Sequence, residues 1–341
     1  MSGPWRGESS QPDEQVCAAR LQWLSSTLDG STSPARPALR SRCSLTHMNQ
    51  SIPPTAGPGV TVQSLGSGSS GNAFLVTSGE TSLMLDCGVG IRTIRKGLGE
   101  RGLAIGDLDA VLITHEHTDH IRTLSCVTGT DVPIVSTLGT CRRGNIPPPQ
   151  WEQIEYHRSL QVGEIAVWAV MVKHDAAEPC GYLLETPTAR ISIFTDLGSW
   201  HDRLVDPIAA SDLVVLESNH DLEMLQRGPY PMHLKRRVAS DAGHLSNEMC
   251  ATSLATTLAT ARREPEIWLA HLSNTNNEPA VAERETREAL RDRGVGSTVT
   301  ALPRTSPGPL WSPGASERDT AAWAPAVPKL PVRQLGIEAL L

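Results

Sequence analysis

A cluster of metal-binding residue types at 115–120 constrains this chain more than any other feature. The cluster contains His115, His117, Asp119 and His120. It follows the apolar run at 110–113 directly, so a buried strand would deliver these side chains at its end. Imidazole and carboxylate groups are ligands suited to Zn²⁺, Mn²⁺ or Fe²⁺. The pattern predicts a metal site at the end of a strand. The alternative interpretation is a polar turn at the surface without a metal.

Three further donors follow apolar runs downstream. They are His174, Asp196 and His271. The carboxyl ends of strands are where sheet-based sites gather. A lone histidine in such a place is usually structural, but three donors in series after predicted strands favour ligand roles.

Short apolar runs separated by turn residues predict the secondary structure. Strands are predicted at 60–65, 73–77, 82–86, 110–114, 133–136, 165–172, 181–185, 190–195, 213–217, 267–270 and 297–301. Helices are predicted at 91–101, 117–124, 201–209, 247–262 and 278–293. Strands followed by alternating strands and helices predict an α/β fold of two sheets with helices outside.

Composition divides the chain into three parts. Residues 1–58 are rich in Ser, Pro, Arg and Gly, and we expect them to form a disordered extension. Residues 59–302 are patterned as one catalytic domain. Residues 303–341 are rich in Pro and Ala, and we expect a flexible tail. Met48 lies close to the first predicted strand and is a candidate for the true start of translation.

The composition also bears on location. The net charge of −7 excludes a generally basic nucleic-acid coat. The chain has no apolar run long enough for a transmembrane helix, and its N-terminus lacks the apolar region of a secretion signal. None of its seven cysteines is spaced as Cys-x-x-Cys, which disfavours a disulfide framework or a zinc ribbon. We therefore expect a cytoplasmic protein without a membrane partner, and the oligomeric state stays open.

The order of these motifs resembles the five-motif signature of the metallo-β-lactamase fold, and Asp86 matches its first motif. The resemblance implies an αββα four-layer sandwich, in which two mixed sheets lie inside and helices outside. It also implies two divalent metal ions at the edge of the sheets, and a role for Asp86 in orienting a ligand by hydrogen bonding.

The same resemblance implies how the donors divide between the two metals. The first metal would be held by His115, His117 and His174. The second would be held by Asp119, His120 and His271. Asp196 would bridge the two ions.

Several stretches resemble the YycJ/WalJ family in particular, whose members are regarded as DNA-processing exonucleases. These stretches lie at 64–73, 175–182, 217–221, 230–231, 234–235, 243–247, 271–273 and 276–277. The resemblance covers roughly residues 60–302 and implies DNA as the substrate. Ser218 departs mildly from the family, which commonly has alanine there.

The chemistry of such a site is coherent without the family name. Two cations about 3.5–4 Å apart can activate a water and stabilise an in-line phosphodiester displacement. Metal-bound hydroxide is then the predicted nucleophile, and Asp119 would orient it or take its proton. His244 is the predicted proton donor for the leaving 3′ oxygen, and the alternative is a structural residue beside a helix cap.

Other polar residues are candidates for substrate contacts. Asn247 opens a predicted helix, where a phosphate can bind, although helix capping is the simpler role. Lys235 belongs to a basic run just before His244 and could guide a DNA backbone. His220 is expected to contact a metal ligand or the substrate. The Gly/Ser run at 66–71 is a weaker candidate for a phosphate-binding loop.

The leading hypothesis is a dinuclear metal-dependent phosphodiesterase, most consistent with an exonuclease acting on DNA. The alternative is a small-molecule metallo-hydrolase for an ester, a thioester or a lactam, which would need an enclosed pocket rather than an open groove. A third hypothesis is a non-catalytic metal-binding protein, and the complete set of donor residues argues against it.

Overall fold

The computed structural model describes residues 59–314. The predicted extension at 1–58, with Met48, lies outside the described residues, as do positions 315–341 of the predicted tail. Within the described part, the strands form two seven-stranded sheets. No helix of that part is both long and apolar enough to cross a membrane.

The strands and helices alternate along the chain much as the apolar pattern predicts. The strands are β1 (Thr61–Gly66), β2 (Ala73–Ser78), β3 (Thr81–Leu85), β4 (Ala110–Leu112), β5 (Ile134–Ser136), β6 (Trp151–Gln153), β7 (Ser159–Val162), β8 (Ile165–Met171), β9 (Cys180–Glu185), β10 (Arg190–Phe194), β11 (Leu213–Glu217), β12 (Glu266–Ala270), β13 (Val299–Ala301) and β14 (Leu310–Trp311). The α-helices are α1 (Ile91–Gly99), α2 (Thr118–Ile121), α3 (Leu138–Arg143), α4 (Val205–Ala210), α5 (Leu222–Arg227), α6 (Met232–Val238), α7 (Asn247–Leu258) and α8 (Pro279–Asp292).

The two sheets have the same internal arrangement. The first has the order β14-β1-β2-β3-β4-β5-β6, and the second has the order β13-β12-β11-β10-β9-β8-β7. In each sheet one half is antiparallel and the other half is parallel. Both sheets are therefore mixed, as predicted.

Strand β3 shows why the apolar runs are continuous rather than alternating. Leu83 and Leu85 point into the core between the two sheets. Met84 lies in the separate core on the outer face, together with Ile94 and Leu98 of α1. A strand that is buried on both faces needs an apolar residue at nearly every position.

Strand β11 is placed in the same way in the second sheet. Leu213 and Val215 belong to the core between the sheets. Val214 and Leu216 belong to the outer core, which contains Leu254 of α7 and residues of α8. Each sheet thus has helices on its outer face, and the predicted four-layer α/β sandwich is confirmed.

The described domain continues past the boundary predicted at residue 302. In β14, Trp311 pairs with Val62 of β1 and is buried in the core between the sheets. Arg304 donates hydrogen bonds to three backbone carbonyls of the segment after β12. The boundary is corrected to follow β14, because this strand covers an edge of the first sheet that would otherwise be unpaired.

Candidate metal centre

The candidate site is built from residues that stand at or just after the carboxyl ends of strands in both sheets. Asp86 follows β3, His115 follows β4, His174 follows β8, Asp196 follows β10 and His271 follows β12. Asp119 and His120 lie on the short helix α2, and His117 precedes it. The fold therefore gathers donors that are far apart in the sequence.

Three of these residues have a backbone conformation that is uncommon for any residue except glycine. The φ angles of Asp86, Asp196 and His271 are 56°, 58° and 54°. Each residue lies one or two positions after its strand, so the left-handed turn redirects the chain at the edge of the sheet. Such conformations persist where the surrounding structure holds them, and they cluster at functional sites.

All seven predicted ligands lie in overlapping groups whose donor atoms are within 4.8 Å of one another. One group is His115, His117 and His174. A second is Asp119, His120 and His271. A third is His115, His120 and Asp196, and a fourth is Asp196, Glu217, His244 and His271. Asp196 is thus close to residues of both predicted metal positions.

His174 is oriented by a backbone carbonyl. Its Nδ1 lies 2.9 Å from the carbonyl oxygen of Gly243, and its Nε2 lies 3.2 Å from Nδ1 of His117. If Nδ1 carries the proton, Nε2 presents a lone pair toward His117. Burial lowers the pKa of His174, which favours this neutral form. Two imidazole nitrogens facing each other in this way can share a cation.

His120 lies between two carboxylates. Its Nδ1 is 2.8 Å from Asp86 Oδ2, and its Nε2 is 2.9 Å from Asp196 Oδ2. Asp86 is itself fixed by the backbone N–H of Thr114, which donates to Oδ1 at 2.9 Å. Burial alone would lower the pKa of His120, but Asp196 and Asp86 outweigh it and hold that pKa well above its usual value. The pocket therefore favours a positive charge, which a proton or a metal cation can supply.

One buried nitrogen at the centre of the site makes no hydrogen bond within residues 59–314. It is Nε2 of His115. Burial, and next the neighbouring His120, lower the pKa of His115 well below its usual value, so its ring is neutral. A buried acceptor without a partner is costly. A divalent cation bound between His115, His120 and Asp196 would satisfy this nitrogen, so the residues present fit such an ion.

Glu217 is a site residue that the sequence analysis missed. Its Oε1 lies 2.8 Å from Nδ1 of His271 and 2.8 Å from Nδ1 of His244. Its Oε2 accepts the backbone N–H groups of Leu197 and Leu245. Burial opposes ionisation, but the two histidines outweigh it and lower the pKa of Glu217 to about 2. Glu217 ends the apolar strand β11, and the same strand-end rule that singled out Asp196 would have found it.

The two predicted catalytic residues both lie at the surface of this cluster. His244 has a side chain 15% exposed, and its ring centre is 5.2 Å from those of His174 and His271. No hydrogen bond in the described part of the chain uses its Nε2. Asp119 Oδ2 lies 3.3 Å from His271 Nε2. Burial would raise the pKa of Asp119, but the histidines around it lower that pKa, which keeps the carboxylate ionised at neutral pH.

His220 lies outside the donor groups. Its side chain is buried, and its Nδ1 has no hydrogen-bond partner among the described residues. Its backbone carbonyl accepts the N–H of Asn247 at the start of α7. Burial lowers the pKa of His220 to about 4, so the ring is neutral. Among the described residues, no hydrogen bond or ion pair joins the His220 side chain to a predicted ligand, so its contact with a ligand or with the substrate stays a prediction.

The structure contradicts a substrate contact by Asn247, and the contact predicted for Lys235 stays a prediction. Asn247 is 1% exposed, and its side chain bonds to Ser218 and Asn277 inside the protein. Ser246, one residue earlier, caps α7. Lys235 Nζ donates to the carbonyl oxygen of Gln226 and so links α6 to α5. Asn247 is inaccessible because it lies below the cap, and Lys235 points to another helix.

The Gly/Ser loop at 66–71 is linked by hydrogen bonds to two of the predicted metal ligands. Ser67 Oγ accepts the backbone N–H of His271 at 3.0 Å and donates to Asn72 Oδ1 at 3.2 Å. Asn72 Nδ2 lies 3.1 Å from His120 Nε2. These contacts fix two predicted ligands from the side of the first sheet.

Comparisons with known proteins agree with this architecture. Residues 81–272 match the family described as the beta-lactamase superfamily domain. Exodeoxyribonuclease YycJ of Bacillus anthracis is 35% identical over 238 residues, which are 68% of this chain and 89% of that relative. Exodeoxyribonuclease WalJ of Streptococcus pneumoniae is 34% identical over 242 residues, with the same two shares.

Solved structures show the same fold at low sequence identity. The metallo-beta-lactamase fold protein YhfI of Bacillus subtilis has a TM-score of 0.56 and 18% identity, and the match covers 75% of this chain and all of that one. Zn²⁺-bound PqqB of Methylobacterium extorquens has a TM-score of 0.55 and 17% identity over 74% of this chain and 99% of that one.

Proposed function

Because the chain belongs to the beta-lactamase superfamily and, within it, to the family of the YycJ and WalJ exodeoxyribonucleases, we propose that it is a metal-dependent exonuclease that hydrolyses phosphodiester bonds of DNA. The observation that carries this proposal is the complete donor cluster in a chain that is similar to exodeoxyribonucleases over most of their length. A DNA substrate also agrees with the predicted cytoplasmic location.

The proposed cofactor is a pair of divalent ions of Zn, Mn or Fe. The first would be held by His115, His117 and His174. The second would be held by Asp119, His120 and His271. Asp196, which is close to both groups, would bridge them. When bound, the ions would supply an activated water and neutralise charge on the phosphate that is cleaved.

The protein's own residues would handle the protons. The ionised carboxylate of Asp119 lies at the accessible side of the cluster and would orient the attacking water or accept its proton. His244 would donate a proton to the leaving 3′ oxygen through Nε2, because Glu217 holds its Nδ1. Glu217 would keep the ring of His244 in the orientation that this transfer needs.

The test is nucleotide release from DNA that is labelled at the 5′ or the 3′ end, single-stranded or duplex, in the presence of Mn²⁺. Wild-type protein should release nucleotides, and the label that is lost first gives the direction. The variant His117→Ala/Asp196→Ala should release none. If metal-loaded wild-type protein leaves every DNA substrate intact but hydrolyses a small ester, thioester or lactam, the chain is a small-molecule hydrolase instead.

A further inference from the structure

Arg237 forms an ion pair with a carboxylate next to the proposed metal ligands. Its Nε and Nη2 lie 2.7 and 2.6 Å from Oδ2 of Asp175. The other oxygen of this carboxylate, Oδ1, lies 3.3 Å from Nε2 of His174 and 3.9 Å from Nε2 of His117. One carboxylate therefore separates the Arg237 guanidinium from two residues of the candidate site.

The segment after Arg237 contacts both α6 and a proposed metal ligand. His244 follows the turn after α6, and its backbone N–H donates to the carbonyl of Val238. The carbonyl of Gly243 in this turn contacts Nδ1 of His174. A side chain on Gly243 would meet the carbonyl oxygen of Arg237 at 2.2 Å, so the turn packs closely against the end of α6. The position of Arg237 relative to the donors is thus set by the fold.

The guanidinium of Arg237 has N–H donors that do not face Asp175. Its side chain is 50% exposed, and a guanidinium has five N–H groups, of which two face Asp175. No contact in the described residues uses its Nη1. Planar guanidinium groups with free N–H donors are the preferred partners of phosphate oxygens. Since an ion pair this exposed contributes little to stability, a phosphate can share the guanidinium at small cost.

The other basic residues of α6 are placed differently. Lys235 is bonded to the carbonyl of Gln226. Arg236 is exposed and makes no hydrogen bond or ion pair that the described part of the chain shows. Arg237 is therefore the residue of this basic run that reaches the proposed metal centre.

We propose that Arg237 binds a backbone phosphate of the DNA strand, one that neighbours the bond to be cleaved, while Asp175 holds the guanidinium in position. This inference rests on the proposed function for its substrate. It makes Arg237 a specificity-determining residue, because only a substrate with a second phosphate can use it.

The experiment measures the binding of a short single-stranded oligonucleotide by fluorescence anisotropy over a series of salt concentrations. The full-length, metal-loaded protein is used, and phosphorothioate linkages at the DNA ends slow hydrolysis. Arg237→Gln should weaken binding roughly tenfold and lower the salt slope by about 1. Arg236→Gln, the matched control on the same helix, should change the affinity less than about twofold.

A second variant distinguishes DNA binding by Arg237 from a role of the Arg237–Asp175 ion pair in supporting the proposed metal ligands. In Asp175→Asn the guanidinium keeps its charge and the amide oxygen of the asparagine can still accept its N–H groups, so the affinity for DNA should remain within about threefold of wild type. In steady-state measurements of DNA cleavage, Arg237→Gln should raise the KM for DNA and leave kcat nearly unchanged. Hydrolysis of bis(p-nitrophenyl) phosphate, which has no second phosphate, should be unaffected by this variant.

Two results would overturn the inference. Equal losses of affinity in Arg237→Gln and Arg236→Gln would mean that only the net charge counts. Equal losses in Arg237→Gln and Asp175→Asn, together with lower metal content, would mean that the ion pair only supports the ligands. Binding and cleavage are measured in separate assays. A wild-type protein that binds DNA but does not cleave it therefore refutes the proposed function, while the comparison of Arg237→Gln with Arg236→Gln still decides the inference.

Discussion

Oε1 of Glu217 and Nδ1 of His271 lie 2.8 Å apart inside the protein, and the same oxygen lies 2.8 Å from Nδ1 of His244. One buried carboxylate therefore orients a proposed metal ligand and the proposed proton donor together. Partners of this kind fix the ring orientation of a ligating histidine and raise its basicity.

Replacing Glu217 by Gln should reduce both metal affinity and activity, each by about 10–100-fold. The amide keeps the size of the side chain but loses the negative charge that stabilises both rings. Metal content and nucleotide release after titration with Mn²⁺ measure the two effects. Glu223→Gln on the exposed side of α5 is the control and should match wild type. Unchanged metal affinity in Glu217→Gln would contradict the assigned role.

Gly88 is required by close packing against the segment that carries Asp119 and His120. A Cβ at this position would lie 1.5 Å from the carbonyl oxygen of Asp119. Gly88→Ala should therefore displace that segment, cost about 1–3 kcal/mol or more of stability and weaken metal binding. Gly90→Ala is the matched control, since nothing lies within 4 Å of its Cβ. Thermal melts that are identical for the two variants would refute this packing argument.

His220 should make stability depend on pH. Burial lowers its pKa to about 4 in the folded state, below the ordinary 6.5 of the unfolded chain. As the pH falls from 6.5 to 4 the unfolded chain binds the proton first, so stability is lost in this window, by about 3 kcal/mol. Denaturant unfolding in the presence of a chelator, which excludes effects of metal release, should show a shallower pH dependence for His220→Asn than for wild type. Parallel curves would contradict the assignment.

The corrected domain boundary predicts the effect of truncation. A chain that ends at residue 302 loses β14 and Arg304, which leaves the edge of β1 unpaired and three carbonyls without their donor. We expect it to melt at a markedly lower temperature or to aggregate. A chain that ends at 314 keeps these contacts and should melt at a higher temperature than the chain that ends at 302. Equal melting of both truncations would show that β14 contributes nothing.

Much of the candidate metal site could be predicted from the sequence, because its donor residues follow apolar runs that form strands. Asp196 and His271 each end such a run, and burial of both strand faces makes the runs easy to recognise. The short strands β6 and β7 were not predicted, since Trp151 and Leu160 are partly buried and their neighbours are polar or exposed. Strand β14 was missed because its two residues are strand only by pairing with β1.

The remaining errors concern contacts that only the folded chain creates. Asn247 is polar and opens a helix, but its burial against Asn277 depends on a segment 30 residues away. Lys235 and Arg237 are both basic but lie two residues apart on α6, so they point to different faces, and only the packing of α6 shows which face meets Asp175. The contact of Glu217 with His271 likewise arises from the pairing of β11 with β12, and its contact with His244 arises from the segment before α7.

The most direct test of the central claim is to titrate Mn²⁺ or Zn²⁺ into metal-free protein and to follow bound metal and nucleotide release from end-labelled DNA together. The account predicts that release stays at background until metal binds and reaches its maximum when two ions are bound per chain. His117→Ala/Asp196→Ala should bind less metal and release nothing. Full activity in the metal-free protein, or two bound ions with no release from any DNA substrate, would contradict it.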